Sequence, residues 1–145
     1  MRQEWSKRRK TVVFTNGVFD ILHVGHIELL NKAKSLGDIL VVGLNSDASV
    51  RRLKGPNRPI NSQADRSTIL LALSMVEAVS IFEEDTPLEL IRALQPDVLV
   101  KGAEYSLANI VGAEEVKSWG GRVKRIKMKA GYSTTETLSR ASLRK

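Results

Sequence analysis

Thr11-Val12-Val13-Phe14-Thr15-Asn16-Gly17, a helical run from His26 to Leu36, and Ile39-Leu40-Val41-Val42-Gly43-Leu44 together decide the fold of this 145-residue chain. The first stretch is β-branched and aromatic, with charge before it and Asn16-Gly17 after it, and so reads as a buried strand entering a turn. Ile27, Leu30, Ala33 and Leu36 recur at helical spacing, and Gly37 is placed to cap the helix end. The third stretch is apolar on both faces, as in a strand of a parallel sheet covered by helices on two sides.

The same alternation continues outward. Arg51 to Pro59 reads as a loop rich in Arg, Lys, Gly and Pro. Asn61 or Ser62 caps a helix to about Met75, with Asp65 in its first turn. Val79 to Phe82 is a third strand. Thr86-Pro87-Leu88-Glu89 predicts a capped helix start, and the helix stops before Pro96. Asp97 to Lys101 is a fourth strand, followed by a helix from about Ile110 to Trp119. Arg122 to Met128 is a fifth strand, and Ser133-Thr134-Thr135-Glu136 opens a last helix. Strands alternating with helices predict a single-domain, Rossmann-like three-layer α/β sandwich with a five-stranded parallel sheet. In such sheets ligands bind beyond the C-terminal strand ends, where strand order reverses. The motifs are therefore expected just after strands one, two, four and five.

Composition narrows the chemistry. Apolar residues make up 42% and charged residues 27%, enough for a core in a soluble domain. With no cysteine and two histidines, disulfides, thiolate zinc sites, cysteine nucleophiles and three-imidazole metal cages are excluded. No apolar stretch approaches a membrane span, and the N-terminus does not read as a signal peptide, so a cytoplasmic protein with no membrane partner is expected. The net charge of +7 comes from +4 in residues 1–10 and +3 in residues 140–145, leaving 15 basic against 15 acidic residues between them. That distribution predicts two solvated basic tails, 1–10 and 140–145, around a domain at 11–139, with no nucleic-acid partner.

Both histidines, His23 and His26, fall in one window after the first strand, three residues apart at a helix start. Gly25 between them lets a ligand approach the backbone. Free amides and the helix dipole favour an anion there. Imidazole donors, a bare glycine and a positive helix end make a polyphosphate cradle. A zinc pair is the competing reading, but a clear third ligand is lacking and imidazole donates to phosphate without metal.

Phe19-Asp20 followed by His23-x-Gly25-His26 resembles the signature of the nucleotidyltransferase superfamily related to cytidylyltransferases, over about residues 11–138. The ordered set Thr15 to His23, Asn45 to Ser49 with Arg52 to Gly55, Arg58-Pro59, Phe82 to Pro87, Val100 to Gly102 and Tyr132 to Thr135 looks closest to its D-glycero-β-D-manno-heptose 1-phosphate adenylyltransferase branch. The resemblance implies a reaction of ATP with a sugar 1-phosphate to give an ADP-sugar and pyrophosphate. It implies Mg2+ carried mainly by the ATP phosphates, no metal held by the protein itself, a homodimer, and a separate sugar kinase, for which this chain has no room. Cytidylyltransferases have an arginine where this chain has Met128 between Lys127 and Lys129, which points away from cytidylyl transfer.

By the same resemblance His23, His26 and Lys54 are the catalytic residues, with Lys54 on a mobile lid. Asn16, Gly17, Val18, Phe19, Gly25, Arg66, Lys101, Gly102 and Glu104 bind the nucleotide, and Ser133, Thr134 and Thr135 hold its phosphates. Asp20, Arg52 and Arg58 are the expected substrate-binding residues. Trp5 and Trp119 are expected to pack. Three other functions compete: a class I aminoacyl-tRNA synthetase fragment, a non-catalytic nucleotide sensor, and another transferase such as a glycerol-3-phosphate cytidylyltransferase or FAD synthetase. The chain is too short for an anticodon-binding domain, and the intact histidine pair argues against a sensor that has lost catalysis.

Overall fold

The computed structural model describes residues 1–127. Five strands, β1 (Val12–Gly17), β2 (Ile39–Asn45), β3 (Ala78–Phe82), β4 (Val98–Gly102) and β5 (Arg122–Ile126), form one sheet in the order β3-β2-β1-β4-β5. Every neighbouring pair is parallel; Val12 to Gly17 of β1 face Ile39 to Leu44 of β2, and Val13 and Phe14 face Val98 and Leu99 of β4. The order reverses at β1, between β2 and β4, so the ligand edge of such a sheet lies where β1 and β4 end.

Alternation along β1 sends side chains to two cores. Val13 joins Leu40, Val42, Val98 and Val100 beneath Leu30 and Ala33 of α2 (Val24–Lys34) and Leu70 of α4 (Gln63–Leu71). Val12 and Phe14 join Val41 and Leu99 beneath Ile91 of α5 (Leu88–Leu94) and Ala113 and Val116 of α6 (Ala113–Ser118). These are the three layers expected, and β2, covered on both sides, is buried along its whole length. Trp5 and Trp119 pack against the second core, and Trp119 Nε1 donates to the Pro96 carbonyl at 2.9 Å. No helix among the described residues is long and apolar enough to cross a membrane.

Several local expectations are corrected. The 51–59 loop begins as helix: α3 (Asp47–Lys54) is capped by Ser46, whose Oγ accepts from the Ser49 amide at 3.1 Å, and is anchored by buried Val50. Thr86 makes no capping bond; Pro87 is the N-cap of α5. Gly37 does not cap α2, which ends at Ser35; a Cβ at Gly37 would lie 2.6 Å from Val13 Cγ2, so glycine is kept there for closeness to β1. The helix expected from Ile110 is shorter, preceded by a 3-10 turn at Leu107–Asn109. Residues 1–10, expected as a solvated tail, are exposed along most of their length. They contain α1 (Arg2–Lys7), where Arg2 donates to the carbonyls of Leu94 (2.9 Å) and Gln95 (3.1 Å) at the end of α5. Ser133 to Glu136 and the 140–145 tail lie outside the described residues.

Candidate active site

The chain crosses from β1 into α2 by a turn whose backbone is set by its glycine and aromatic residues. Phe19 sits at φ +48°, rarely adopted by a bulky residue, and its ring folds back over Gly17. A Cβ at Gly17 would stand 3.0 Å from that ring, so glycine here admits the fold-back. The same ring meets His26, centroids 5.2 Å apart. Strain of this kind, about 1–3 kcal/mol, persists where surrounding structure over-determines it.

His23 is the N-cap of α2, and the two imidazoles stack with centroids 3.9 Å apart and planes 22° apart. His23 Nδ1 accepts from the Gly25 amide at 3.1 Å, and His26 Nδ1 accepts from the His23 amide at 3.3 Å. With both Nδ1 atoms accepting, the neutral rings carry their protons on Nε2 and present an N–H donor there. Burial, then the neighbouring His23 and Lys54, push the His26 pKa down to about 4, so His26 is neutral at pH 7. The pair is a rigid double donor at a helix N-terminus.

Around it lies a cleft of about 710 Å³ at the C-terminal strand ends. It brings together Asn16, Gly17, Val18, Phe19, His23, Gly25 and His26 from the β1–α2 segment, Lys54 from the last turn of α3, and Lys101, Gly102 and Glu104 from β4 and beyond. Lys101 Nζ stands 4.8 Å over the Tyr105 ring; burial lowers its pKa while Glu104 opposes that shift. The Glu104 carboxylate lies against Gly102, where any Cβ would collide with it.

Four of the expected ligand residues make hydrogen bonds within the protein. Arg66 is 1% exposed; Nε donates to Asn61 O, Nη1 to Val18 O and Asn45 O, and Nη2 to Asp47 Oδ1 at 2.8 Å. It ties the β1–α2 turn to β2, α3 and the segment before α4, and does not line the cleft. Asp20, buried, accepts from the Ile60 and Asn61 amides and from Arg58 Nε at 3.0 Å. Burial opposes its charge, but those amides and the Arg58 guanidinium outweigh it and hold its pKa below the usual carboxylate value. Asp20 and Arg58 are thus each other's partners. Arg52 pairs with Asp85 Oδ1 at 2.8 Å and donates to the Glu83 carbonyl, leaving Asp85, not Arg52, on the cleft wall. Ser133, Thr134 and Thr135 fall outside the described residues.

Sequence reasoning missed Asn45, Leu53, Asp85, Tyr105 and Lys127 as cleft-lining residues. The signal was positional. Asn45 ends β2, Lys127 follows β5 and Asp85 follows β3, so each leaves a strand on the ligand edge. Among the described residues no group of three or more His, Asp or Glu could hold a metal ion.

The cytidylyltransferase-like family profile matches residues 14–139. The chain is 58% identical over 134 residues to the bifunctional protein HldE of Syntrophotalea carbinolica, covering 92% of this chain and 27% of that protein. With HldE of Mesorhizobium japonicum it shares 58% over 136 residues, 94% of this chain and 27% of the other. The chain therefore spans about a quarter of the length of these curated relatives. Among solved structures, the lipopolysaccharide core biosynthesis protein from Thermoplasma volcanium superposes with a TM-score of 0.65 at 30% identity, over 83% of this chain and 97% of that one. Pantoate-beta-alanine ligase from Francisella tularensis, at 16% identity and TM-score 0.59 over 88% of this chain and 64% of that one, shares the fold. The cleft, the histidine pair and a profile that spans most of the sequence agree, and the chain belongs to the cytidylyltransferase-like family of nucleotidyltransferases.

Proposed function

We propose that the protein transfers the adenylyl group of ATP to D-glycero-β-D-manno-heptose 1-phosphate, releasing pyrophosphate and an ADP-heptose. A phosphate oxygen of the sugar phosphate attacks the α-phosphorus of ATP, and the bond from that phosphorus to the oxygen bridging to the β-phosphate breaks. The attacking monoester has a second pKa of about 6 and is dianionic at neutral pH, so no general base is required. What the reaction needs is positioning of two anions and stabilisation of charge on the leaving pyrophosphate.

The observation that supports this reading is the stacked histidine pair, both Nδ1 atoms fixed by backbone amides, at the wall of a cleft that also holds Lys54 and Lys101. Neutral Nε2–H donors beside a lysine suit phosphate oxygens on which charge develops. The choice of ATP and heptose phosphate rests on the ordered motifs, and the surface-glycan context agrees with the likeness to the Thermoplasma lipopolysaccharide protein.

Mg2+ fits the cleft as a passenger of the nucleotide. Asp85 and Glu104 are the carboxylates on the cleft wall, matching the one or two that proteins usually offer magnesium, whereas Asp20 has its oxygens occupied. Bound to the triphosphate, the ion neutralises phosphate charge. Ser133, Thr134 and Thr135 are proposed as further phosphate donors. A cytoplasmic homodimer, supplied with its sugar 1-phosphate by a sugar kinase, completes the reading.

A pyrophosphate-release screen crossing ATP, CTP and GTP with the heptose phosphate, glycerol 3-phosphate and riboflavin 5'-phosphate tests it. The expected product comes from ATP and the heptose phosphate. Turnover with CTP and glycerol 3-phosphate and none with that pair overturns it.

A further inference from the structure

We propose that Asp20 is a positioning residue of the active site, which sets where Lys54 stands relative to the histidine pair. The inference rests on the nucleotidyltransferase reading of the cleft and concerns a residue that touches no part of it. Asp20 lies on the loop that ends at His23; the groups it binds lie on the loop that follows Lys54. Its Oδ2 accepts from Arg58 Nε at 3.0 Å and from the Ile60 amide at 2.8 Å, and its Oδ1 accepts from the Asn61 amide at 2.9 Å. Asn61 Nδ2 returns a bond to the Asp20 carbonyl at 2.7 Å. The two loops that deliver the catalytic groups are therefore knotted at one carboxylate.

The knot is charged and dry. The Asp20 side chain is fully buried and that of Arg58 is 14% exposed. Arg58 Nη2 is buried without a hydrogen-bond partner, so Asp20 is the one anion that compensates this guanidinium among the described residues. Removing the carboxylate strands a buried cation and frees two amides, which favours departure of the 58–61 segment toward water. α3 ends at Lys54 and Gly55, immediately before that segment, so its last turn would follow. Arg66 and the Ser46 cap still hold the α3 start. Loss of a carboxylate that served only to stabilise the fold would instead lower stability and leave Lys54 in place.

His26 reports the position of Lys54 without any substrate, because Lys54 is one cause of its lowered pKa, after burial and His23. With two histidines in the sequence, their imidazole proton resonances are assigned by single substitutions. The test is an NMR titration of His26 in the wild type, Lys54→Gln, Asp20→Asn and the double variant. Lys54→Gln and Asp20→Asn are each expected to shift the titration upward, and the double variant to go no further than either. A further rise in the double variant would mean that Asp20→Asn acts by opening the site to water, and would overturn the proposal. So would an unmoved His26 in either single variant.

Turnover supplies the second readout. Displacement of Lys54 is expected to lower kcat on the order of a hundredfold, and Asp20→Asn to have no further effect on kcat in the Lys54→Gln background. Should Asp20→Asn fail to fold, Arg58→Gln breaks the knot from its more exposed side and is expected to shift His26 in the same direction. Failure of every substrate pair in the screen would undo the functional reading and leave the His26 titration standing.

Discussion

Five arginines and lysines of the expected site, given catalytic, nucleotide-binding and substrate-binding roles in the sequence, are divided by the fold according to what else their donors can reach. Arg66 spends four hydrogen bonds on Asn61, Val18, Asn45 and Asp47, Arg58 faces Asp20, and Arg52 faces Asp85, whereas Lys54 and Lys101 line the cleft. Spacing in the chain does not reveal such partners, because Asp20 and Arg58 are brought together only by the fold. The histidines were legible because adjacency along one helix start is a local property. Replacing His23 or His26 by alanine is expected to lower turnover about a hundredfold through loss of one donor to developing charge, with far-UV circular dichroism unchanged; near wild-type kcat would mean that the pair only caps α2. His26 also predicts a pH dependence. Its folded pKa of about 4 lies below its ordinary 6.5, so protons bind the unfolded chain first. Stability is complete above about pH 6.5 and falls as pH drops from there toward 4. His26→Gln should flatten that part of a thermal-unfolding profile, and equal slopes in the two proteins would refute the assignment.

At the scale of elements, apolar periodicity was enough for β1, β2 and β4, whose buried residues dominate their sequences, and for α2, where Leu30 and Ala33 mark the buried face. It failed at α3. Asp47 to Lys54 is mostly polar, with Val50 as its buried apolar anchor, and the cluster of arginines and lysine read as a loop. What makes it helical is a cap and a neighbour: Ser46 Oγ takes the Ser49 amide, and Asn45 Nδ2 donates to Ser49 Oγ at 3.0 Å. Thr86 shows the converse, a capping sequence whose side chain makes no cap because Pro87 stands in that position. Ser46→Ala should therefore cost about 1 kcal/mol of stability. Because α3 ends in Lys54, the same change should raise KM for the sugar phosphate or ATP several-fold. A loss of stability with both Michaelis constants unchanged would show that α3 holds its place without its cap.

For the molecule as a whole, the excess positive charge says less about partners than about how one end is used. Charge alone placed residues 1–10 in solvent, and α1 lies along the α5 side, with Trp5 against the second core and Arg2 on the last carbonyls of α5. Those carbonyls lack helical partners, and Gln95 turns out of the helix at φ +49°, so a guanidinium is a suitable cap there. This contact is built on the core formed by Val12, Phe14, Ile91 and Leu99, whereas the histidines stand on α2, over the opposite core. Stability and catalysis should separate accordingly. Deleting residues 1–8 removes the burial of Trp5 and the cap of α5, a loss of about 2 kcal/mol that should lower Tm by roughly 4–8 °C. Both kcat and the Michaelis constants should stay within about twofold of the full chain, since no residue of α1 lines the cleft. Binding to RNA or anionic vesicles at low salt should weaken with the lost charge. A large rise in KM with the fold preserved would place the N-terminal helix at an active site, which α1 could reach only on a second copy of the chain.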